Sequence, residues 1–256
     1  MARAQATNGT EKAAILLLSL GVMMPVVAQD LAIDAKLVGV FTAIIYGVAT
    51  VAALAAKGVT VTGAAVDVSD GPILKAWVTE VAAELGGLDI IVANVSAMAV
   101  SDDEAGWSSG FSIDLMGTVR LVDAAMPFLL ASKAAAIVTI SSVSAREVDA
   151  DTGPYGVFKA AIIHYTQGLA QKLAAQGVRA NTVSPGTTWF EGGVWSRIRD
   201  DDPSAYQMAL DLNPTGRMAT PQEIANAAVF LASPAASFIS GANLVVDGAL
   251  TRGVHL

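Results

Sequence analysis

Tyr155 and Lys159 lie four residues apart in GPYGVFKAAIIHYTQGLA (153–170), a largely apolar stretch that opens at Gly153–Pro154. In a helix that spacing puts both side chains on one face, one turn apart. A free phenol titrates near 10 and is a poor proton donor or acceptor at neutral pH. An ammonium about 5 Å away, at an effective dielectric near 20, favours phenolate by roughly 3 kcal/mol. Such a pairing suits general acid/base work. Of the four tyrosines only Tyr155 is followed by lysine at that spacing. Ser142, upstream at the end of IVTISS, adds a hydroxyl able to hold a carbonyl oxygen. Nothing in the trio transfers electrons, so a redox role requires a hydride-carrying cofactor.

The elements that must position these residues alternate between strand-like and helix-like patterns, as βαβ units do. Strands are expected over 58–68, 88–97, 134–145, 177–186 and 242–250. Helices are expected over 69–87, with a Ser/Asp cap and a Gly pair at its end, and over 111–132, 153–170 and 220–233. SDDEAGW (101–107) opens a further helical region. The order predicts an α/β fold: an open, doubly wound, mostly parallel sheet with helices on both faces. Strand ends and the following helix starts share the sheet's carboxyl edge, where Ser142, Tyr155 and Lys159 can meet. Residues 187–218 fit neither period and hold Trp189, Phe190, Trp195 and Tyr206. A long irregular segment at that edge reads as a lid over a partly apolar substrate.

Composition narrows the function. The chain of 256 residues is 54% hydrophobic, only 15% charged, and carries a net charge of −8 without any basic run, so nucleic acid and anionic membrane are poor partners. It has no cysteine, and His164 and His255 are far apart, so no metal-ligand spacing is present and a reducing cytoplasmic setting is the simple inference. His164 reads as a packing or subunit-contact residue. Near the N-terminus, AAILLLSLGVMMPVVA could pass for a leader core, and the uncharged run 37–56 could span a bilayer. Pro25, Asp30, Asp34, Lys36, Gly39 and Gly47 interrupt these runs, which favours buried strands and helices of a parallel sheet.

The series TISSVSA…GPYGVFKAA…VRANTVSPGTT…NPTGRM…PQEIANAAVFLAS…SFISGANLVVDGA resembles the short-chain dehydrogenase/reductase family, and within it the 3-oxoacyl-carrier-protein reductases. The resemblance covers residues 58–250. It implies a single Rossmann-type domain over 1–256 with a seven-stranded sheet, usually a homotetramer, that interconverts a carbonyl and a secondary alcohol of a small-molecule substrate with NAD or NADP. By matching position, Tyr155 is the acid/base, Lys159 also meets the nicotinamide ribose, and Ser142 orients the carbonyl. Pro185 and Gly186 line the nicotinamide pocket, Thr188 touches the carboxamide, Asn94 stands in the family's NNAG stretch, and Asp67 meets adenine or else caps a helix. Three departures stand out. Asp114, in FSIDLMG, replaces a tetrad asparagine and brings a carboxylate to the site edge. ANVS keeps one position of NNAG. LLSLGVMM (17–24) keeps only Gly21 of the glycine-rich phosphate loop, and its bulky side chains oppose a pyrophosphate there. A blocked loop makes a non-catalytic binding or assembly module the rival expectation.

Overall fold

A computed structural model describes residues 14–19, 36–41, 62–148 and 152–253, the first two segments as backbone. In chain order these carry β1 (Ala14–Ser19), β2 (Lys36–Phe41), α1 (Gly71–Leu85), β3 (Ile90–Asn94) and α2 (Glu104–Gly110). A π-turn (Phe111–Leu115) leads into α3 (Met116–Leu129) and β4 (Ala136–Ile140), and α4 (Pro154–Leu173) then leads to β5 (Arg179–Pro185). Last come α5 (Val194–Asp201), α6 (Pro203–Asp211), α7 (Pro221–Ala232) and β6 (Asn243–Val246).

Among the described residues the strands form one six-stranded sheet, ordered β2-β1-β3-β4-β5-β6, with every pair parallel. The chain moves outward from β1 to β2 and then returns to β1's other side for β3. That reversal is the switch point at which open α/β sheets hold ligands. The start of the uncharged run 37–56 is β2, so residues 37–41 belong to the sheet; residues 42–56 lie outside the described residues. Among the described residues no helix is long and apolar enough to cross a membrane.

The central strands β3 and β4 read as nearly unbroken apolar runs because both of their faces are covered. Ile91, Ile137 and Ala180 pack with Leu74, Val78 and Leu121 of the helices on one face. Their neighbours Ile90, Val92, Val138 and Val183 pack with Ile224, Ala228 and Leu231 of α7 on the other. The two-residue period of a strand divides the core in two.

Two expectations need correction. The segment 58–68 is not a strand over its described part. Residues 62–68 alternate in burial, with Val66 and Val68 inward, yet pair with no neighbour, and 58–61 lie outside the described residues. Alternating burial shows that the chain is extended; it does not supply a partner strand. Residues 187–218 are not irregular either, since they hold α5 and α6. Asp202 ends the first helix and caps the second, accepting from the N–H groups of Ser204 and Ala205, with Pro203 in the first turn. Both helices are short and polar on one side, so neither shows a long apolar stripe in the sequence.

Candidate active site

Three strand ends and one helix start build the site. Asn94 ends β3, Ile140 ends β4 and is followed by Ser141 and Ser142, and Pro185 ends β5 and is followed by Gly186 to Thr188. Above them α4 begins at Gly153, whose φ is +46° and where a Cβ would come within 2.6 Å of the Val100 carbonyl oxygen. Only glycine fits there. Pro154 then takes the first helical position, which places Tyr155 in the first turn and Lys159 one turn further in.

Lys159 is buried, at 3% exposure, and Tyr155 is half-buried. The lysine Nζ lies 5.5 Å from the Tyr155 ring centroid, so the two do share a helix face. Nζ donates to the carbonyl oxygen of Ile140 at 3.3 Å, and the backbone carbonyl of Lys159 accepts from Ser141 Oγ at 2.7 Å. Strand and helix are thereby latched beside the pair. Ser142 is buried at the cavity wall, and its Oγ accepts from the Ser144 N–H at 3.1 Å, which fixes the serine-rich turn.

Asp114 sits in the π-turn, 2% exposed, with Oδ1 3.3 Å from Lys159 Nζ. Its carboxylate also accepts from Ser96 Oγ at 2.6 Å and from the Ala97 N–H at 2.8 Å. A buried carboxylate is tolerable only with partners of this kind. Ser96 escaped the sequence reading. The signal was present, because a hydroxyl residue occupies the last position of ANVS while an acidic residue replaces the tetrad asparagine.

A cavity of about 730 Å³ opens over this edge, within the size range of small-molecule and cofactor sites. Asn94, Ser142, Tyr155, Lys159, Pro185, Gly186 and Thr188 all line it. Phe190, Trp195, Ile198 and Leu212 of the 187–218 segment form an apolar wall. The base of that segment is pinned: the Trp189 N–H donates to Ala219 O and the Ala219 N–H donates to Thr187 O, both at 2.9 Å. Leu250 to Arg252, from the C-terminal segment, and Glu147 line the rim and were not foreseen. Asp114 stands behind Lys159 rather than in the wall. Asp67 is not among the residues lining the cavity; it is exposed and accepts from the hydroxyl and the N–H of Ser69, which hold its carboxyl below the usual range. The helix cap that Asp67 shared as an expectation belongs to Asp70. Gly21 lies outside the described residues. His164 is exposed on α4, and Arg217 makes a surface pair with Glu223.

A family model described as enoyl-(acyl carrier protein) reductase matches residues 28–251. The isoepoxydon dehydrogenase of Penicillium expansum is 40% identical over 195 residues, covering 76% of this chain and 74% of that one. The 3-oxoacyl-(acyl-carrier-protein) reductase of Vibrio harveyi is 32% identical over 194 residues, covering 73% and 77%. A short-chain type dehydrogenase/reductase from Mycobacterium ulcerans superposes with a TM-score of 0.80 at 26% identity, covering 93% of this chain and 89% of that one. With its parallel sheet and the clustered Tyr155 and Lys159, the chain therefore belongs to the short-chain dehydrogenase/reductase family, as an oxidoreductase of the alcohol–carbonyl couple similar to the 3-oxoacyl-carrier-protein reductases.

Proposed function

We propose that the protein interconverts a carbonyl and a secondary alcohol with NAD or NADP, using Tyr155 as general acid/base. The observation that carries this reading is the buried Lys159 ammonium 5.5 Å from the Tyr155 ring, in the wall of a ligand-sized cavity at the sheet's carboxyl edge. The residues present fit the nicotinamide end of a dinucleotide: Asn94, Lys159, Pro185, Gly186 and Thr188 line the same cavity as Tyr155. Bound there, the nicotinamide supplies or accepts hydride, which no side chain of the trio can do.

Tyr155 gives a proton to the carbonyl oxygen in reduction and takes it back in oxidation. Ser142 donates a hydrogen bond to that oxygen and fixes the angle of attack. Lys159 keeps a positive charge against the phenol and holds the nicotinamide ribose. The apolar wall of Phe190, Trp195, Ile198 and Leu212 seats the body of the substrate and excludes water, which strengthens the polar contacts inside. Residues 1–256 act as one dinucleotide-binding and catalytic domain with 187–218 as its lid, in a homotetramer working in the cytoplasm. The match across residues 28–251 supports one domain, and the lack of cysteine in the sequence suits a reducing compartment.

Titrating the full chain with NADH and NADPH by nicotinamide fluorescence, followed by an alcohol and ketone panel, tests the proposal. Saturable binding of one nucleotide with turnover of a ring or chain secondary alcohol is the expected result. No binding at millimolar nucleotide would favour the rival reading, a binding or assembly module whose phosphate loop is blocked.

A further inference from the structure

The geometry points to the turn at 247–251 as a specificity-determining wall of the cavity, in which Asp247 holds Leu250 in place and Leu250 sorts substrates by the size of an apolar group beside the carbonyl. This rests on reading the cavity as a carbonyl–alcohol site and says what that site measures.

Two non-glycine residues among the described ones have left-handed backbones, Met98 at φ +50° and Ala249 at φ +66°. An L side chain is disfavoured there, so a residue kept in that region is over-determined by its surroundings, and such residues gather at functional sites. Both belong to this cavity. Met98 follows β3 and lines it; Ala249 follows β6 and directly precedes Leu250, which lines it. In the sheet β3 and β6 flank β4 and β5. The two turns therefore bracket the strand end that carries Ser142.

Asp247 to Leu250 form a reverse turn, closed by the Leu250 N–H donating to the Asp247 carbonyl at 3.2 Å. Its central residues, Gly248 and Ala249, are both left-handed. Glycine takes that conformation freely, whereas alanine needs support. The support is the Asp247 carboxylate. Oδ1 accepts from the Ala249 N–H at 3.0 Å, and Oδ2 accepts from the N–H and hydroxyl of Thr251 at 2.9 and 2.7 Å. The turn is also wedged in place. A Cβ on Gly186 would lie 2.7 Å from Asp247 Cβ, and one on Gly248 would lie 3.1 Å from Thr215 Cγ2. Past the turn, a Cβ on Gly253 would lie 3.7 Å from Glu147 Oε1, so the segment runs from Gly186 to the rim. Along the way Leu250, Thr251 and Arg252 line the cavity.

Leu250 is the apolar member of that trio and is half-buried. Held by so constrained a turn, it meets an oversized group as a fixed surface and does not swing aside. Closing the sheet does not call for this arrangement, since glycine at 249 would form the same turn without strain. Asp247 acts through Leu250 and is a positioning residue.

The test is steady-state kinetics of the full chain on linear methyl ketones of rising chain length. Leu250→Ala is expected to move the kcat/KM ratio of the longest to the shortest ketone by about tenfold toward the longest. Asp247→Asn is expected to blur the parent's preference and to raise KM more than it lowers kcat. Adding Ala249→Gly to Asp247→Asn is expected to restore the preference, because glycine adopts the turn without the carboxylate. A turn that only closes the sheet would lower the melting temperature in Asp247→Asn and leave the ratio alone. An unmoved ratio in Leu250→Ala overturns the inference, and that variant decides by itself should Asp247→Asn fail to fold. Methyl NMR of Leu250, assigned by the resonances missing from Leu250→Ala, needs no turnover. The ketones are expected to shift those resonances, and resonances that stay put overturn the inference. Ketones that shift them without being reduced would sink the proposed reaction and leave the wall standing.

Discussion

Two ion pairs in this molecule invert the usual relation between contact length and importance. Arg217 and Glu223 meet at the surface in a two-pronged contact, 2.6 and 2.8 Å long, with side chains 58% and 41% exposed. Asp114 and Lys159 meet once, at 3.3 Å, with 2% and 4% exposure. The surface pair is better formed and matters less, because water and salt screen it and either partner can return to solvent. Neither member of the buried pair has that option, so each depends on the other and on the donors around it. Burial rather than distance decides which pair the structure depends on.

Breaking the buried pair should have the larger effect. Asp114→Ala leaves a buried ammonium without its counter-charge and should cost about 3–5 kcal/mol by denaturant unfolding. The double variant Asp114→Leu, Lys159→Met removes both charges, and most of that loss should be recovered while turnover is not. Recovery of turnover would separate the lysine from the chemistry.

A smaller effect is expected at the start of α7. There the Thr220 side chain accepts from the Glu223 N–H while the Glu223 carboxylate accepts from the Thr220 N–H, a reciprocal cap. Thr220→Ala should cost about 1 kcal/mol. Smallest of all, Arg217→Ala should lower the melting temperature by no more than about 2 °C, and less at high salt. Glu223 also gives the surface pair a pH signature. Hydrogen bonds from Arg217, then from Thr220, bring its carboxyl down to about 2 from an ordinary 4.5. A depressed carboxylate stabilises fully above its unfolded value, so this contribution should fade as pH falls from about 4.5 through about 2. In Arg217→Ala that acid-side slope should flatten, as melts across the window would show.

The same contrast separates what could be read in the sequence from what could not. Tyr155 and Lys159 were legible because helical spacing alone puts them on one face, and Gly153–Pro154 announced where the helix begins. Ser142 was legible because βαβ order sends strand ends to one edge, whereas Asn94 and Pro185 were legible only through the family resemblance. Asp114 was visible as a residue out of place, but its partner was not: a pair across 45 positions forms only once α4 packs against the π-turn. The hydroxyl of Ser96 was visible in ANVS, but its contact was not, because it lies 18 positions from the carboxylate it holds. Helices α5 and α6 were missed because they are short and their capping residue, Asp202, sits in a run of three aspartates that reads as a charged turn. The segment 58–68 misled because alternation reports an extended chain, and pairing depends on a neighbour the pattern does not contain.

The central claim is that the Tyr155 phenol moves the proton while the rest of the site only binds and orients. Tyr155→Phe keeps the ring and removes the hydroxyl, so its turnover and nucleotide affinity, measured side by side, test this most directly. Turnover should fall by at least ~100-fold, the scale of a lost general acid/base, with nucleotide affinity within about threefold of the parent. Turnover that survives the substitution would contradict the account and place the proton elsewhere.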